Sequence, residues 1–92
     1  AQTLVKLSPK ADSFRDTLAW VYHARGDLPT ARRILQESTA RAPAAYAFYH
    51  LGVIDADLGD KKAAVDAFDR ALAVTPDYAP AKDARAKLVG VD

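Results

Sequence analysis

Residues 18–43 read LAWVYHARGDLPTARRILQESTARAP, and residues 51–76 read LGVIDADLGDKKAAVDAFDRALAVTP. The second stretch repeats the first at an offset of 33 residues. The identical pairs are Leu18 with Leu51, Gly26 with Gly59, Asp27 with Asp60, Ala31 with Ala64, Ala40 with Ala73, and Pro43 with Pro76. Two Gly-Asp pairs and two prolines in one register are hard to obtain by chance, even in an alanine-rich chain. A repeat of this length is typical of stacked helical units.

Each stretch predicts two helices joined by a tight turn. Apolar residues recur every three or four positions before Gly26, which is the spacing of one helix face. Gly26 can adopt the left-handed conformation that ends a helix, and Asp27 can cap the helix that follows. The second helix is expected to end before Pro43, because the residue preceding a proline disfavours the helical conformation. The second unit follows the same plan around Gly59 and Pro76.

Composition excludes several classes of function. The 92 residues carry 13 Lys and Arg against 12 Asp and Glu, a net charge of +1, without the basic excess of a dedicated nucleic-acid binder. The lack of cysteine excludes a disulfide framework and cysteine-ligated metals, and fits both cytoplasm and periplasm. No apolar run approaches the roughly 18 residues that span a bilayer. Because the chain opens at Ala1 without a methionine, we expect it to be either a piece of a longer protein or a processed chain.

The repeated unit resembles the tetratricopeptide repeat, a helix–turn–helix unit of about 34 residues. The matching positions are Leu18, Ala19, Tyr22, Gly26, Ala31, Leu35, Ser38 and Pro43 in the first unit, and Phe48, Leu51, Gly52, Gly59, Ala64, Phe68, Ala71 and Pro76 in the second. Two positions depart from the family pattern: Arg15 replaces an aromatic residue, and Asp55 replaces a tyrosine. The resemblance implies an all-α solenoid of antiparallel helix pairs.

The resemblance also implies an organisation for the chain. Residues 12–44 and 45–78 are expected to form two repeats, and residues 1–8 a remnant helix of a preceding repeat. Residues 79–90, with Pro80 at the helix start, are expected to form a C-terminal capping helix with a polar outer side.

The first helix of each pair lines the concave side of such a solenoid. The family positions on that side predict these partner-binding residues: Ser13, Asp16, Trp20, His23, Tyr46, Tyr49, His50, Val53 and Asp57, with Asp83 and Lys87 joining from the last helix. Their helical spacing independently favours one face per helix. Trp20, Tyr46 and Tyr49 would be aromatic anchors of the kind that dominate binding energies. The alternative is that Trp20 packs between neighbouring helices.

The predicted function is a non-catalytic scaffold that binds a peptide or helix of a partner protein in the concave groove. Repeats that grip the carboxylate of a chaperone tail carry lysine and asparagine at positions held here by Asp16, Trp20 and His50. Because an acid replaces the base, a partner with apolar or basic side chains is favoured over a chaperone tail.

Other chemistries find little support in the sequence. His23 and His50 lack a recognisable metal-ligand spacing, and the chain has neither a nucleophile motif nor a glycine-rich phosphate loop. We therefore expect no metal, cofactor or enzymatic activity. The basic residues of the second helices, Arg32, Arg33, Lys61, Lys62 and Arg70, are expected on the solvated outer surface. Acids four residues away would neutralise part of that surface, which argues against nucleic acid binding.

An alternative function is structural. The segment could cap or space a longer array, or form a homodimer through its exposed terminal helices. Residues 16–27, DTLAWVYHARGD, and residues 48–53, FYHLGV, resemble closing repeats of bacterial tetratricopeptide proteins in envelope, secretion or exopolysaccharide-export systems.

Overall fold

The computed structural model of the chain describes residues 9–90 and contains five helices and no strand within them. They are α1 (Pro9–Ala24), α2 (Leu28–Arg41), α3 (Ala45–Asp57), α4 (Lys61–Val74) and α5 (Ala79–Val89). The predicted all-α solenoid of helix pairs is therefore confirmed. The predicted remnant helix at residues 1–8 lies outside the described residues.

The two Gly-Asp pairs form equivalent turns. Gly26 and Gly59 both have a φ of 85°, the left-handed conformation that glycine adopts without a steric cost. The carboxylate of Asp27 accepts the Thr30 backbone N–H at 3.4 Å, and that of Asp60 accepts the Ala63 N–H at 3.1 Å. Each pair thus ends one helix and caps the next, as the repeat predicts.

The helices stack so that the first helices of neighbouring units contact each other, whereas the second helices do not. Helix α3 packs against α2 and α4, and it also contacts α1 and α5. In contrast, no Cα atom of α2 comes within 8 Å of one in α4. A stack whose first helices touch while its second helices separate curves toward the first helices. We call the side formed by α1, α3 and α5 the inner face.

Small residues set the spacing within each helix pair. Ala19 and its repeat equivalent Gly52 lie where the neighbouring helix approaches. A Cβ atom on Gly52 would lie 2.4 Å from Cε1 of Phe68, so only glycine fits against that ring. In the first unit the equivalent pair is Ala19 and Leu35, which belong to one buried cluster. The larger Phe68 thus occurs with glycine, and the smaller Leu35 occurs with alanine at the equivalent position.

The departure at Asp55 has a structural explanation that corrects one prediction. Asp55 is only 3% exposed, and its Oδ1 lies 2.8 Å from the Nε atom of Arg32. A second nitrogen of Arg32 donates to Asp60 at 3.3 Å. Arg32 is therefore not a solvated outer residue, because it joins α2 to α3 and to the cap of α4. Arg70 does follow the prediction, since it pairs with Asp66 four residues away at 3.0 Å.

Candidate functional site

Two histidine–aspartate pairs connect α1 to α3 on the inner face. Nδ1 of His50 in α3 contacts the carboxylate of Asp16 in α1. Nε2 of His23 in α1 lies 2.5 Å from Oδ2 of Asp57 in α3. Both pairs join residues 34 positions apart, with acid and histidine exchanged between the helices. Four of the predicted partner-binding residues therefore form two contacting pairs.

Trp20 lies between the two histidines. Its ring centroid is 4.8 Å from that of His23 and 4.5 Å from that of His50, and both contacts are edge-to-face. Its side chain is half-buried. Part of the indole packs against the histidines, and part of it remains accessible to a partner. Truncating Trp20 would consequently remove packing as well as any contact with a partner.

His50 contacts two polar side chains of α1. The indole N–H of Trp20 lies 3.0 Å from Nδ1 and 3.1 Å from Nε2 of His50. An indole N–H only donates and an ionised carboxylate only accepts. His50 therefore lies between a donor, the indole of Trp20, and a carboxylate, that of Asp16, and it connects both of these α1 side chains to α3.

Tyrosines extend the aromatic surface toward the C-terminal end. The ring of Tyr49 lies 5.4 Å from that of His50 and 6.1 Å from that of Tyr78. Tyr46 lies 6.3 Å from His50 and is 36% exposed. We call the series His23, Trp20, His50, Tyr49 and Tyr78, with Tyr46 beside it, the aromatic row.

Tyr78 was not predicted from the sequence. It lies in the link between α4 and α5, where no helical periodicity marks it. Burial raises the pKa of its phenol above the ordinary value of 10.0, and interactions with Tyr49 and Asp16 raise it further. Tyr78 therefore stays a neutral hydrogen-bonding group at physiological pH.

An apolar pocket continues the inner face between α3 and α5. Its volume is about 290 Å³. It is lined by Val53, Ala56, Asp57, Phe68, Ala84, Lys87 and Leu88. Val53, Asp57 and Lys87 were predicted for this side, whereas Phe68, Ala84 and Leu88 were not, because their periodicity indicates core positions.

Asp83 and Ser13 were also predicted for this side of the molecule. Asp83 is exposed and lies outside the lining of the pocket. Ser13 belongs to α1, but its side chain lies outside the described part of the molecule.

The acids of the inner face differ from the other paired acids in their partners. In the described part of the chain, Asp16 and Asp57 pair with imidazoles and with no lysine or arginine. The other acids in ion pairs, Asp55, Asp60, Asp66 and Asp69, each contact an arginine. Two carboxylates of the inner face are thus left without a permanently charged cation beside them.

Neither a metal cluster nor a transmembrane helix is found in the described residues. Among the side chains that the structure describes, those of residues 15–90, no three His, Cys, Asp or Glu are grouped so that they could hold a metal ion. None of the five helices combines the length and apolar character needed to cross a membrane.

Comparison with protein families identifies the repeat. Tetratricopeptide repeat models match residues 13–37 and residues 45–78, which together make up more than half of the chain. A comparison with curated proteins found no match. Tetratricopeptide repeats are in general non-catalytic scaffolds that mediate protein–protein interactions. With the repeated turns and stacked helix pairs described above, these matches show that the chain belongs to the tetratricopeptide repeat family.

Proposed function

We propose that the chain binds a peptide or helix of a partner protein across its inner face, without chemistry of its own. The observation that carries this proposal is the aromatic row, which runs over α1, α3 and the link before α5. Trp20, Tyr49 and Tyr78 are half-buried and Tyr46 is exposed, so the row combines fixed rings with accessible surface. Aromatic side chains arranged in this way are the residues that most often dominate binding energies.

The contacts around the row also support a low entropic cost of binding. Trp20 packs against two histidines, and each histidine contacts an aspartate on the other helix. Side chains held in one conformation before binding lose little freedom when a partner arrives. The adjoining pocket of about 290 Å³ offers room for an apolar side chain of that partner.

The test uses peptides selected from a random library on the immobilised chain. Tyr46→Ala and Trp20→Phe are expected to weaken binding of the selected peptides by about ten-fold, as hot-spot truncations do. Val74→Ala is the matched control, because Val74 is an exposed apolar residue on α4. Isothermal titration calorimetry measures the affinities, and thermal melting verifies folding. Peptides that lose affinity for the Val74→Ala variant but not for the two row variants would contradict the proposal.

The alternative of a capping or self-associating segment makes a different prediction. A homodimer through the terminal helices predicts a molar mass that rises with concentration, and Val21, which is 45% exposed on α1, is an apolar contact available for it. Binding of a separate partner requires no such rise. Sedimentation velocity over a hundred-fold concentration range separates the two, and a mass that doubles would favour self-association.

A further inference from the structure

We infer that the segment bound on the inner face is cationic, with lysine or arginine side chains interspersed among apolar ones. This inference rests on the proposed function and names the chemistry of its partner. Three features of the inner face carry it: the charge of its carboxylates, the faces of its aromatic rings, and the apolar pocket beside Asp57.

The carboxylates supply negative charge that no described lysine or arginine pairs with. Among the described residues, Asp16 and Asp57 each have an imidazole, and neither lysine nor arginine, as ion-pair partner. The side chain of Asp57 is 49% exposed, and its ion-pair partner is His23. Asp57 can therefore meet a lysine or arginine of a partner while keeping its contact with His23, since a carboxylate accepts several hydrogen bonds.

The aromatic row adds an attraction of the same sign. The face of an indole or phenol ring attracts a cation through the ring quadrupole, and tryptophan does so most strongly. All three rings, Trp20, Tyr46 and Tyr49, lie against His50, which contacts Asp16, so a cation on this part of the row lies close to aromatic rings and a carboxylate together. A partner carboxylate would be repelled by both.

The pocket accommodates the apolar part of such a segment. It opens beside Asp57 and has a mostly apolar lining, so an aliphatic side chain can enter it next to a bound cation. Lys87 lines the same pocket and opposes a cationic partner, and no ion pair joins it to Asp57 in the described residues. Asp57 and Lys87 thus provide a pair of charges with opposite expected effects on binding.

The test measures binding of three short capped peptides with identical leucine positions. Lysine, glutamate or glutamine fills the remaining positions. Trp20 is the single tryptophan of the chain and lies in the row, so its fluorescence reports binding at this face. We expect the lysine peptide to bind most tightly and to lose affinity as salt is raised. Asp57→Asn should weaken it by about five-fold, whereas Lys87→Gln should tighten it by about two-fold.

Asp66→Asn is the matched control, because it makes the same charge change on α4, where Asp66 pairs with Arg70 in solvent. Equal binding of all three peptides, or equal effects of Asp57→Asn and Asp66→Asn, would overturn the cationic partner but leave the binding face intact. If none of the three peptides changed the fluorescence of Trp20, the binding face itself would be contradicted, and this inference with it.

Discussion

Replacing Gly52 with alanine is expected to destabilise the chain by about 2 kcal/mol, although alanine is the better helix former. Alanine at a helix interior gains about 1 kcal/mol over glycine, whereas overpacking of a core costs about 1–3 kcal/mol. The added Cβ would lie 2.4, 2.7 and 2.9 Å from three atoms of the Phe68 ring. Phe68 is only 2% exposed, so the ring cannot turn into solvent and the upper part of that range applies.

The first repeat supplies the control for this prediction. There the equivalent residues are Ala19 and Leu35, and both are buried without a glycine. Phe68→Leu alone is expected to cost about 1–2 kcal/mol through the lost ring. Adding Gly52→Ala to that variant should then stabilise it, because the smaller side chain leaves room for the methyl group and the helix gains propensity. Urea denaturation of the four chains measures the coupling, and additive free energies would contradict the proposed contact.

The repeat predicts the fold because its strongest signals are local. Gly26 and Gly59 need the left-handed conformation, and Asp27 and Asp60 cap the helices that follow them, whatever surrounds the turns. The same offset predicts which helix faces the units share. The turns and the helix faces were therefore accessible from residue order alone.

The pairings between helices were less accessible. Spacing places Asp16, Trp20 and His23 on one face, but it does not reveal that each charged group has its partner on α3, which depends on how far α1 and α3 slide past each other. Asp55 looked anomalous because its partner, Arg32, belongs to a different helix and a different repeat. Contacts of this kind are set by the packing of whole helices rather than by a local pattern.

The pair formed by Arg32 and Asp55 leads to the second large expected effect. Arg32→Gln is expected to destabilise the chain by about 3 kcal/mol at neutral pH, because it leaves a buried carboxylate without its cation. Asp55→Asn is expected to cost less than about 1 kcal/mol, since it removes the charge that is costly to bury. The asymmetry follows from exposure: the side chain of Asp55 is 4% exposed, whereas that of Arg32 is 32% exposed and keeps Asp60 as a partner.

The pH dependence of these variants tests the same explanation. Burial raises the pKa of Asp55 above its ordinary value of 3.8; Arg32 acts against this shift, while Asp60 and Asp66 add to it. A carboxyl with a raised pKa in the folded state gives its full stabilisation below pH 3.8 and loses it as the pH rises through the folded value. The wild type should therefore lose stability relative to the Asp55→Asn variant as the pH rises from 3.8 through the raised pKa of Asp55.

The Arg32→Gln variant should lose more stability than the wild type as the pH rises. Its loss should also extend to a higher pH, because the cation that lowers the pKa of Asp55 is gone. Combining Arg32→Gln with Asp55→Asn should recover most of the stability and remove this pH dependence, since no buried charge remains. Arg70→Gln serves as the control, because its pair with Asp66 is exposed on both sides and should contribute less than about 1 kcal/mol. Chemical denaturation from pH 3.5 to 7 measures all five chains. If Arg32→Gln and Arg70→Gln had equal effects at neutral pH, the buried pair would not be what joins the two repeats.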